Sequence, residues 1–314
     1  SMKVKRLHPF YDYRIQGDRL DIWNAGVVKS FTFPEAKSFL DFYFDQFENG
    51  RLVPSNQEYE GEFSKFLEGQ GLLYEIEDSY VNSNIEDLYI EANRQVDAEV
   101  IAERLRQAQV TILGDPTLGR SLEQALQGGG LNTCNLDSSD PVMDDKFDMT
   151  VYIADSVADG RLQNFNRQMI EGNETRPWLP IFRQVGDSVL FGPIIYPSKT
   201  ACIECLRLRM TSTIPTINEE YLNPGTCVFG NRQDFKKQPT STEKLTIAAV
   251  SSVVLNRICL REYSSLSRPG FINEIRKGNF GLEIHHHRVL KAPRCGVCGE
   301  SSQLGYPQVW HHGG

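Results

Sequence analysis

Four cysteines in two pairs constrain this chain more than any other feature. Cys202 and Cys205 form one Cys-x-x-Cys pair, and Cys295 and Cys298 form a second pair near the end of the 314 residues. Each pair places two thiolates on one side of a tight turn, and two pairs complete a closed tetrahedral cage, the pattern typical of structural zinc. Gly296 is expected to let the second turn curl toward the metal. The pattern therefore predicts a structural, non-catalytic zinc site.

The long separation between the pairs excludes a small zinc finger. The metal would instead fix the end of the chain to a domain formed between the pairs. Two alternatives stay open, namely four reduced cysteines without a metal and a redox-active Cys-x-x-Cys pair. The other three cysteines, Cys134, Cys227 and Cys259, are interpreted as small buried apolar residues.

Length and charge limit the classes of protein that this chain can belong to. A chain of 314 residues suffices for about two domains. The net charge of -8 argues against a general nucleic-acid-binding protein, which needs clustered lysine and arginine. No signal sequence or membrane-spanning apolar run is recognised. The cysteines are also interpreted as reduced, and a cytoplasmic protein without a membrane partner is expected.

The N-terminal residues show a series of short strand and helix patterns that is typical of a small α+β domain. Turns at Gly17 and Gly26 separate three short strands, and a capping box at Thr32 and Glu35 starts a helix. The predicted elements are strands at 8–15, 20–23 and 27–31, helices at 32–49 and 55–68, and a strand at 72–76. This order predicts a winged-helix domain over residues 1–78.

The second predicted helix is unsuited to DNA. It carries Glu58, Glu60, Glu62 and Glu68 against Lys65, so it would repel phosphate. This composition disfavours the alternative of a transcriptional regulator.

The strand at 27–31 and the helix beside it predict a peptide-binding groove instead. An extended peptide could add to the free edge of the strand and place side chains between strand and helix. The residues predicted to contact it are Val27, Val28, Lys29, Ser30 and Phe31 on the strand, Phe63, Phe66 and Leu67 on the helix, and Arg51, which with Lys29 would pair with acidic peptide residues. A purely structural wing with a capped edge stays open as an alternative.

The remaining chain is predicted to form an α/β doubly wound, Rossmann-like domain. Residues 79–107 are interpreted as a linker and connecting helix, and the second domain spans 108–314. Its first strand, 109–113, precedes a turn in which Pro116 replaces the middle glycine of the dinucleotide fingerprint. Proline donates no backbone N–H and fills the space that a phosphate would occupy, so ATP binding at this turn is not expected.

Three consecutive histidines invite a second metal site. His285, His286 and His287 lie on a predicted strand that ends near Leu290. Successive strand residues point to opposite faces, so the three rings cannot bind one ion. A solvated or partly packed strand is predicted.

Two further motifs extend the cysteine pattern into a family resemblance. Residues 192–197, Gly-Pro-Ile-Ile-Tyr-Pro, lead into the first cysteine pair, and Pro293 precedes the second pair. Together these resemble the ThiF-like (ocin-ThiF-like, ubiquitin-activating-enzyme-like) cyclodehydratase components of azole-modified (TOMM) peptide and bacteriocin biosynthesis. The resemblance implies a PqqD-like winged helix followed by a ThiF-like domain with four-cysteine zinc.

The resemblance also implies a function and partners. A family member binds the leader of a ribosomally made precursor peptide and presents its core to a YcaO-type cyclodehydratase, which uses ATP to form azolines. This chain carries no YcaO domain, so the partner is expected to be a separate polypeptide. A homodimer and a flavin dehydrogenase in the same complex are further expectations.

The main alternative is a ThiF-type adenylating enzyme. Such relatives need an intact glycine loop and an Asn/Arg/Gln segment. Residues 164–168 resemble that segment, but they follow the strand that ends at Asp155, which is one strand later in the chain than in those relatives. With Pro116 in the glycine loop, the resemblance implies a non-catalytic component without catalytic residues.

Overall fold

The computed structural model describes residues 2–48, 53–54, 61–137, 148–183, 188–213, 238–266, 269–293 and 295–299. The chain forms two compact units, residues 1–90 and residues 91–314. No helix within the described ranges is both long enough and apolar enough to cross a bilayer.

Among the described residues, the first unit contains two antiparallel sheets and two helices before residue 70. One sheet has the strand order β5, β1, β6, and the other has the order β2, β3, β4. The bounds are β1 (Lys3–Leu7), β2 (Asp12–Gln16), β3 (Arg19–Asn24), β4 (Val27–Thr32), α1 (Ala36–Glu48), β5 (Val53–Pro54), α2 (Glu62–Gly69) and β6 (Leu73–Glu77). The three predicted hairpin strands are confirmed, while β1 was not predicted.

The predicted winged helix stays a prediction, because two details differ from the expected order. The strand after α2 pairs with β1 rather than with the hairpin sheet. The second helix begins at Glu62, and residues 55–60 lie outside the described residues. One face of β3, carrying Leu20 and Ile22, packs with Phe39 and Leu40 of α1 into a shared core.

The segment predicted as a linker and connecting helix contains two α-helices. α3 (Asn84–Glu91) and α4 (Ala98–Gln107) follow a short 3-10 turn. Glu86 of α3 is buried and accepts hydrogen bonds from Arg6 Nε at 2.9 Å and from the Tyr74 hydroxyl at 2.6 Å. This buried pair fixes the start of α3 to β1 and β6, so residues up to about 90 belong to the first unit.

In the described part of the second unit, one mixed sheet has the order β13, β12, β11, β10, β9, β7, β8. Strands β8, β7, β9 and β10 are parallel, and the other neighbours pair antiparallel. The bounds are β7 (Gln109–Gly114), α5 (Pro116–Gly128), β8 (Thr133–Asp137), β9 (Met149–Ala154), α6 (Gly160–Glu171), β10 (Trp178–Phe182), β11 (Ser188–Phe191), α7 (Ile203–Thr213), α8 (Ser241–Leu260), β12 (Phe271–Gly278) and β13 (Gly281–Arg288). The mixed α/β class is confirmed.

The helices of the second unit pack in two groups that position the sites. α8 contacts α4 and α5, and α6 contacts α7. α8 is largely buried, and its start is fixed by a capping box between Thr240 and Glu243. The cluster that includes α6 and α7 contains Trp178, Phe165 and three of the paired cysteines.

Candidate functional site

The four paired cysteines form one buried cluster. Their sulfur atoms lie within 4.8 Å of one another, with Cys202 Sγ 3.6 Å from Cys295 Sγ and Cys205 Sγ 3.3 Å from Cys298 Sγ. A tetrahedral site with Zn–S bonds of about 2.3 Å requires sulfurs about 3.8 Å apart. The cluster therefore fits a four-sulfur metal site of the kind that zinc prefers, with all four predicted ligands brought together.

Local backbone structure explains why both pairs fold into this shape. α7 begins directly after Cys202, so Cys205 lies in its first turn. In the second pair, the Gly299 N–H donates to Cys295 O at 2.9 Å, and a Cβ at Gly299 would lie 2.4 Å from that oxygen. A Cβ at Gly296 would meet open space. The requirement for glycine therefore falls at Gly299, and the role predicted for Gly296 is wrong.

Hydrogen bonds among the four sulfur atoms shift their thiol pKa values in opposite directions. Hydrogen bonds from Cys202 and Cys298 lower the pKa of the Cys205 thiol, whose sulfur also accepts the Ala292 N–H at 3.3 Å. The hydrogen bond to Cys205 raises the pKa of Cys202. The cluster thus stabilises thiolate character at Cys205, the form that binds a metal.

The predicted peptide-binding strand has an exposed edge. β4 pairs with β3 on one side, and within the described residues no strand pairs with its other side. Val27 is 49% exposed and Val28 is 69% exposed. An unpaired strand edge offers main-chain donors and acceptors to an incoming strand.

The register of β3 and β4 assigns alternate side chains to the two faces. Phe31 lies opposite Leu20 and Lys29 lies opposite Ile22, and directly opposed residues share one face of a sheet. Because Leu20 and Ile22 are core residues, Lys29 and Phe31 share the core face, and alternation places Val27 there too. Val28 and Ser30 lie on the other face.

The predicted helix residues differ in accessibility. Phe63 and Leu67 are buried in the core, whereas Phe66 is only partly buried and contacts Phe31 with ring centroids 4.8 Å apart. Phe33, which sequence reasoning missed, stacks on Phe66 at 5.3 Å. Arg51 lies outside the described residues. The accessible surface beside the strand edge is therefore formed by Phe31, Phe33 and Phe66.

A polar network holds the opposite face of this sheet. Asp21 of β3 accepts hydrogen bonds from Ser30 Oγ at 2.6 Å, Arg14 Nη2 at 3.0 Å and Arg19 Nε at 2.8 Å. These donors, first that of Ser30, lower the pKa of Asp21 to about 2. The network joins all three strands and fixes β4 from the face that is not in the groove.

The turn after β7 shows what occupies the position of a dinucleotide phosphate. Gly114 has φ +93°, and a Cβ there would lie 1.9 Å from Ile153 O, so only glycine fits. Asp115 caps α5, and its Oδ1 accepts the N–H groups of Thr117 at 3.0 Å and Leu118 at 2.8 Å. These are the donors that a helix N-terminus otherwise offers to a phosphate, and here a side-chain carboxylate occupies them.

A buried ion-pair network surrounds this cap. Arg183 donates through Nη1 to Asp115 Oδ2 and through Nε to Glu243 Oε1 at 3.2 Å. The remaining Glu243 oxygen accepts the Thr240 N–H at 2.8 Å. All three charged side chains are buried, and two carboxylates face one guanidinium. The three side chains together carry one net negative charge at this helix end.

Two other segments considered in the sequence, residues 164–168 and the three consecutive histidines, form hydrogen bonds within the fold. Asn166 of α6 is buried, and its Oδ1 accepts the Ile203 N–H at 3.2 Å beside the first cysteine pair. His285, His286 and His287 pair separately with Glu283, Asn273 and Glu274. In the described ranges the histidines join no cluster of metal ligands.

The mixed α/β fold of this chain is similar to that of solved heterocyclases and of the biosynthetic enzyme MccB. No protein-family model and no curated protein matches the chain. A heterocyclase in complex with substrate and cofactor aligns with 96% of the chain at TM-score 0.66 and 17% identity, and the heterocyclase TruD with 95% at TM-score 0.65 and 18% identity. MccB of E. coli in complex with MccA-N7isoASN aligns with 95% at TM-score 0.57 and 17% identity.

The shares of the matched chains differ. This chain covers 40% and 43% of the two heterocyclase chains and 100% of the MccB chain. At such low identity the likeness shows the fold alone. It agrees with the fold expected from the ThiF-like resemblance.

Proposed function

We propose that this chain binds the leader of a ribosomally made precursor peptide and presents the peptide core to a separate YcaO-type, ATP-dependent cyclodehydratase for azoline formation. The exposed edge of β4, beside partly buried aromatic rings, is the observation that carries the proposal. The fold shared with heterocyclases and MccB supports it.

The leader would add to β4 as an antiparallel or parallel strand. Main-chain hydrogen bonds along the edge give affinity, and side chains on the core face give specificity. On that face a leader residue would contact Val27, Phe31 and Phe66, and Lys29 would pair with an acidic leader residue. Tethering the leader raises the effective concentration of the core at the partner's active site.

In this proposal the chain carries no catalytic residue of its own. Asp115 occupies the helix donors that would bind phosphate, and its pairing with Arg183 keeps that carboxylate in place. The four cysteines would hold a structural zinc that joins α7 to the C-terminal segment, and the closed sulfur set leaves no position for substrate. The expected homodimer, flavin dehydrogenase partner and cytoplasmic location remain predictions.

The two neighbouring valines of β4 provide a matched test. Val27→Glu places a charge on the core face of the groove, and we expect at least a tenfold rise in the Kd for a fluorescent leader, or about 1.4 kcal/mol. Val28→Glu places the same charge on the opposite face and is expected to change the Kd less than about threefold. The probe would be the leader of a short Cys/Ser/Thr-rich precursor peptide sought among the neighbouring genes, titrated by fluorescence anisotropy. Equal effects of the two variants would reject the groove.

A ThiF-type adenylating enzyme is the second candidate, because a structure of MccB with ATP shares this fold over 95% of the chain. The purified zinc-loaded chain would be incubated with ATP and precursor, and pyrophosphate release measured without any partner. We expect no release above the level without peptide. Release that depends on the peptide would establish the adenylating enzyme instead.

A further inference from the structure

A polar cleft lies beside the cysteine cluster of the second unit. It has a volume of about 370 Å³ and is lined by Gln163, Asn164 and Arg167 of α6, by Glu204 and Arg207 of α7, and by Gly296 between the last two cysteines. We refer to it as the knuckle cleft. It belongs to the second unit, whereas β4 belongs to the first, and the proposed function assigns it no role.

The charges in the knuckle cleft favour an anion. Glu204 and Arg207 form a bidentate pair, with Nε–Oε2 and Nη2–Oε1 distances of 2.8 and 2.7 Å, which neutralises that arginine. Arg167 is exposed and, within the described ranges, has no hydrogen-bond or ion-pair partner. The lining thus holds a surplus of one positive charge, carried by a guanidinium whose geometry suits a carboxylate.

The other polar groups point to a peptide rather than to a free anion. Gln163 is 8% exposed, and its Nε2 donates to Val157 O at 2.7 Å. That bond orients the amide, and in the part of the chain that the structure describes its Oε1 accepts no hydrogen bond. This oxygen is not among the buried polar atoms that lack a partner, so it is accessible from the cleft, where a peptide N–H can donate to it and a simple carboxylate cannot. Gly296 has open space where a Cβ would lie, so its backbone is approachable.

We propose that the knuckle cleft binds an acidic residue within a peptide segment of a partner protein. Arg167 binds the carboxylate, and Gln163 accepts a main-chain N–H of the same segment. The cleft contains positions from both cysteine pairs, so its shape depends on the metal centre that holds them together. The cysteine cluster then has a second consequence besides stability, because it builds a docking site for a partner.

The experiment uses the zinc-loaded full chain labelled with nitrogen-15. The probe is the capped pentapeptide Gly-Gly-Glu-Gly-Gly, and its counterpart carries Gln in place of Glu. We expect the Glu peptide to shift the amide resonances of Gly296 and Val297 saturably, and the Gln peptide to bind at least tenfold more weakly. Arg167→Gln is expected to weaken the Glu peptide at least tenfold. Arg161→Gln, an exposed arginine on the same helix outside the cleft lining, is expected to stay within twofold.

Three outcomes overturn the proposal. Equal binding of the Gln peptide removes the role of the carboxylate, and an unchanged affinity in Arg167→Gln removes the role of that guanidinium. If sodium acetate or inorganic phosphate matches the Glu peptide, the cleft binds an adventitious ion only. None of these outcomes bears on leader binding at β4, which lies in the other unit, so the two proposals fail separately.

Discussion

Asp115 shows at the scale of single residues how a side chain can take the N–H donors of a helix start in a dinucleotide-type turn. The sequence places Pro116 where a phosphate would approach, and this substitution alone predicts the loss of the nucleotide site. The structure adds that the Asp115 carboxylate takes the helix donors and that Arg183 balances its charge. These partners stand 68 residues apart in the chain, and no local pattern announces such a pairing.

The Asp115 network gives a prediction for stability. Arg183→Met leaves two buried carboxylates without their cation and is expected to lower the free energy of unfolding by about 3–5 kcal/mol. The control Arg176→Met breaks a more exposed pair with Glu174, 2.7 Å long, and is expected to cost about 1 kcal/mol or less. Urea unfolding of the zinc-loaded chain measures both. Similar costs for the two variants would contradict a buried, uncompensated pair of carboxylates.

Asp21 gives a prediction for pH dependence. Its pKa of about 2 lies below the value of about 3.9 for an unfolded chain, so the ionised carboxylate stabilises the fold above about pH 3.9, and this contribution is lost as the pH falls through about 2. We expect the carbon-13 carboxyl resonance of Asp21 to remain that of a carboxylate at pH 3. Ser30→Ala removes the shortest donor and should raise the midpoint. A wild-type midpoint near 4 would contradict the network.

The elements differ in how far the sequence could predict them. Strands β2, β3, β4, β7, β9 and β10 carry their own alternation or apolar run, and the turn glycines between the hairpin strands support the interpretation. β1 and β12 were not predicted. A strand such as β1 is stabilised by pairing with a partner far along the chain, here β6, and the local sequence does not reveal that partner. α7 was not predicted, because the cysteine pair at its start was interpreted only as a metal-binding turn.

The candidate sites also differ in how far the sequence could predict them. The four ligands were predicted completely because spacing alone defines a two-pair cage. The groove was predicted as one list of strand and helix residues, but burial separates Phe63 and Leu67, which form the core, from Phe66 at the surface. Amphipathic spacing identifies the buried face of a helix, but it does not show which residues at the border of that face stay accessible to a ligand. Phe33 carried no signal, since it lies between β4 and α1.

The metal centre gives a prediction at the scale of elements. We expect one zinc per chain by elemental analysis, and removal of zinc with a strong chelator should lower the melting temperature, because the metal joins α7 to the segment after β13. Cys298→Ala is expected to reduce zinc content and stability, and Cys259→Ala, a buried cysteine outside the cluster, should keep the full zinc content. A chain that purifies without metal and is indifferent to chelation would reject the zinc site.

For the whole molecule, the two units divide the work that the proposal describes. The first unit offers a strand edge for a peptide, and the second unit has a fold shared with heterocyclases and MccB, in which the phosphate donors of α5 are occupied by its own carboxylate. In the sequence, the net charge argues against a general nucleic-acid-binding protein, and no apolar run long enough for a membrane span is recognised. Whether the chain binds a peptide or activates it depends on contacts between residues that lie far apart in the sequence. The composition does not predict such contacts.

Hydrogen exchange along the two edges of the hairpin sheet tests leader binding most directly. The zinc-loaded chain would be compared with and without its precursor leader, following the amides of β4 and those of β2, the opposite edge of the same sheet. The account predicts slower exchange in residues 27–32 when the leader is bound and unchanged exchange in residues 12–16. Bound leader that leaves residues 27–32 unprotected would contradict it.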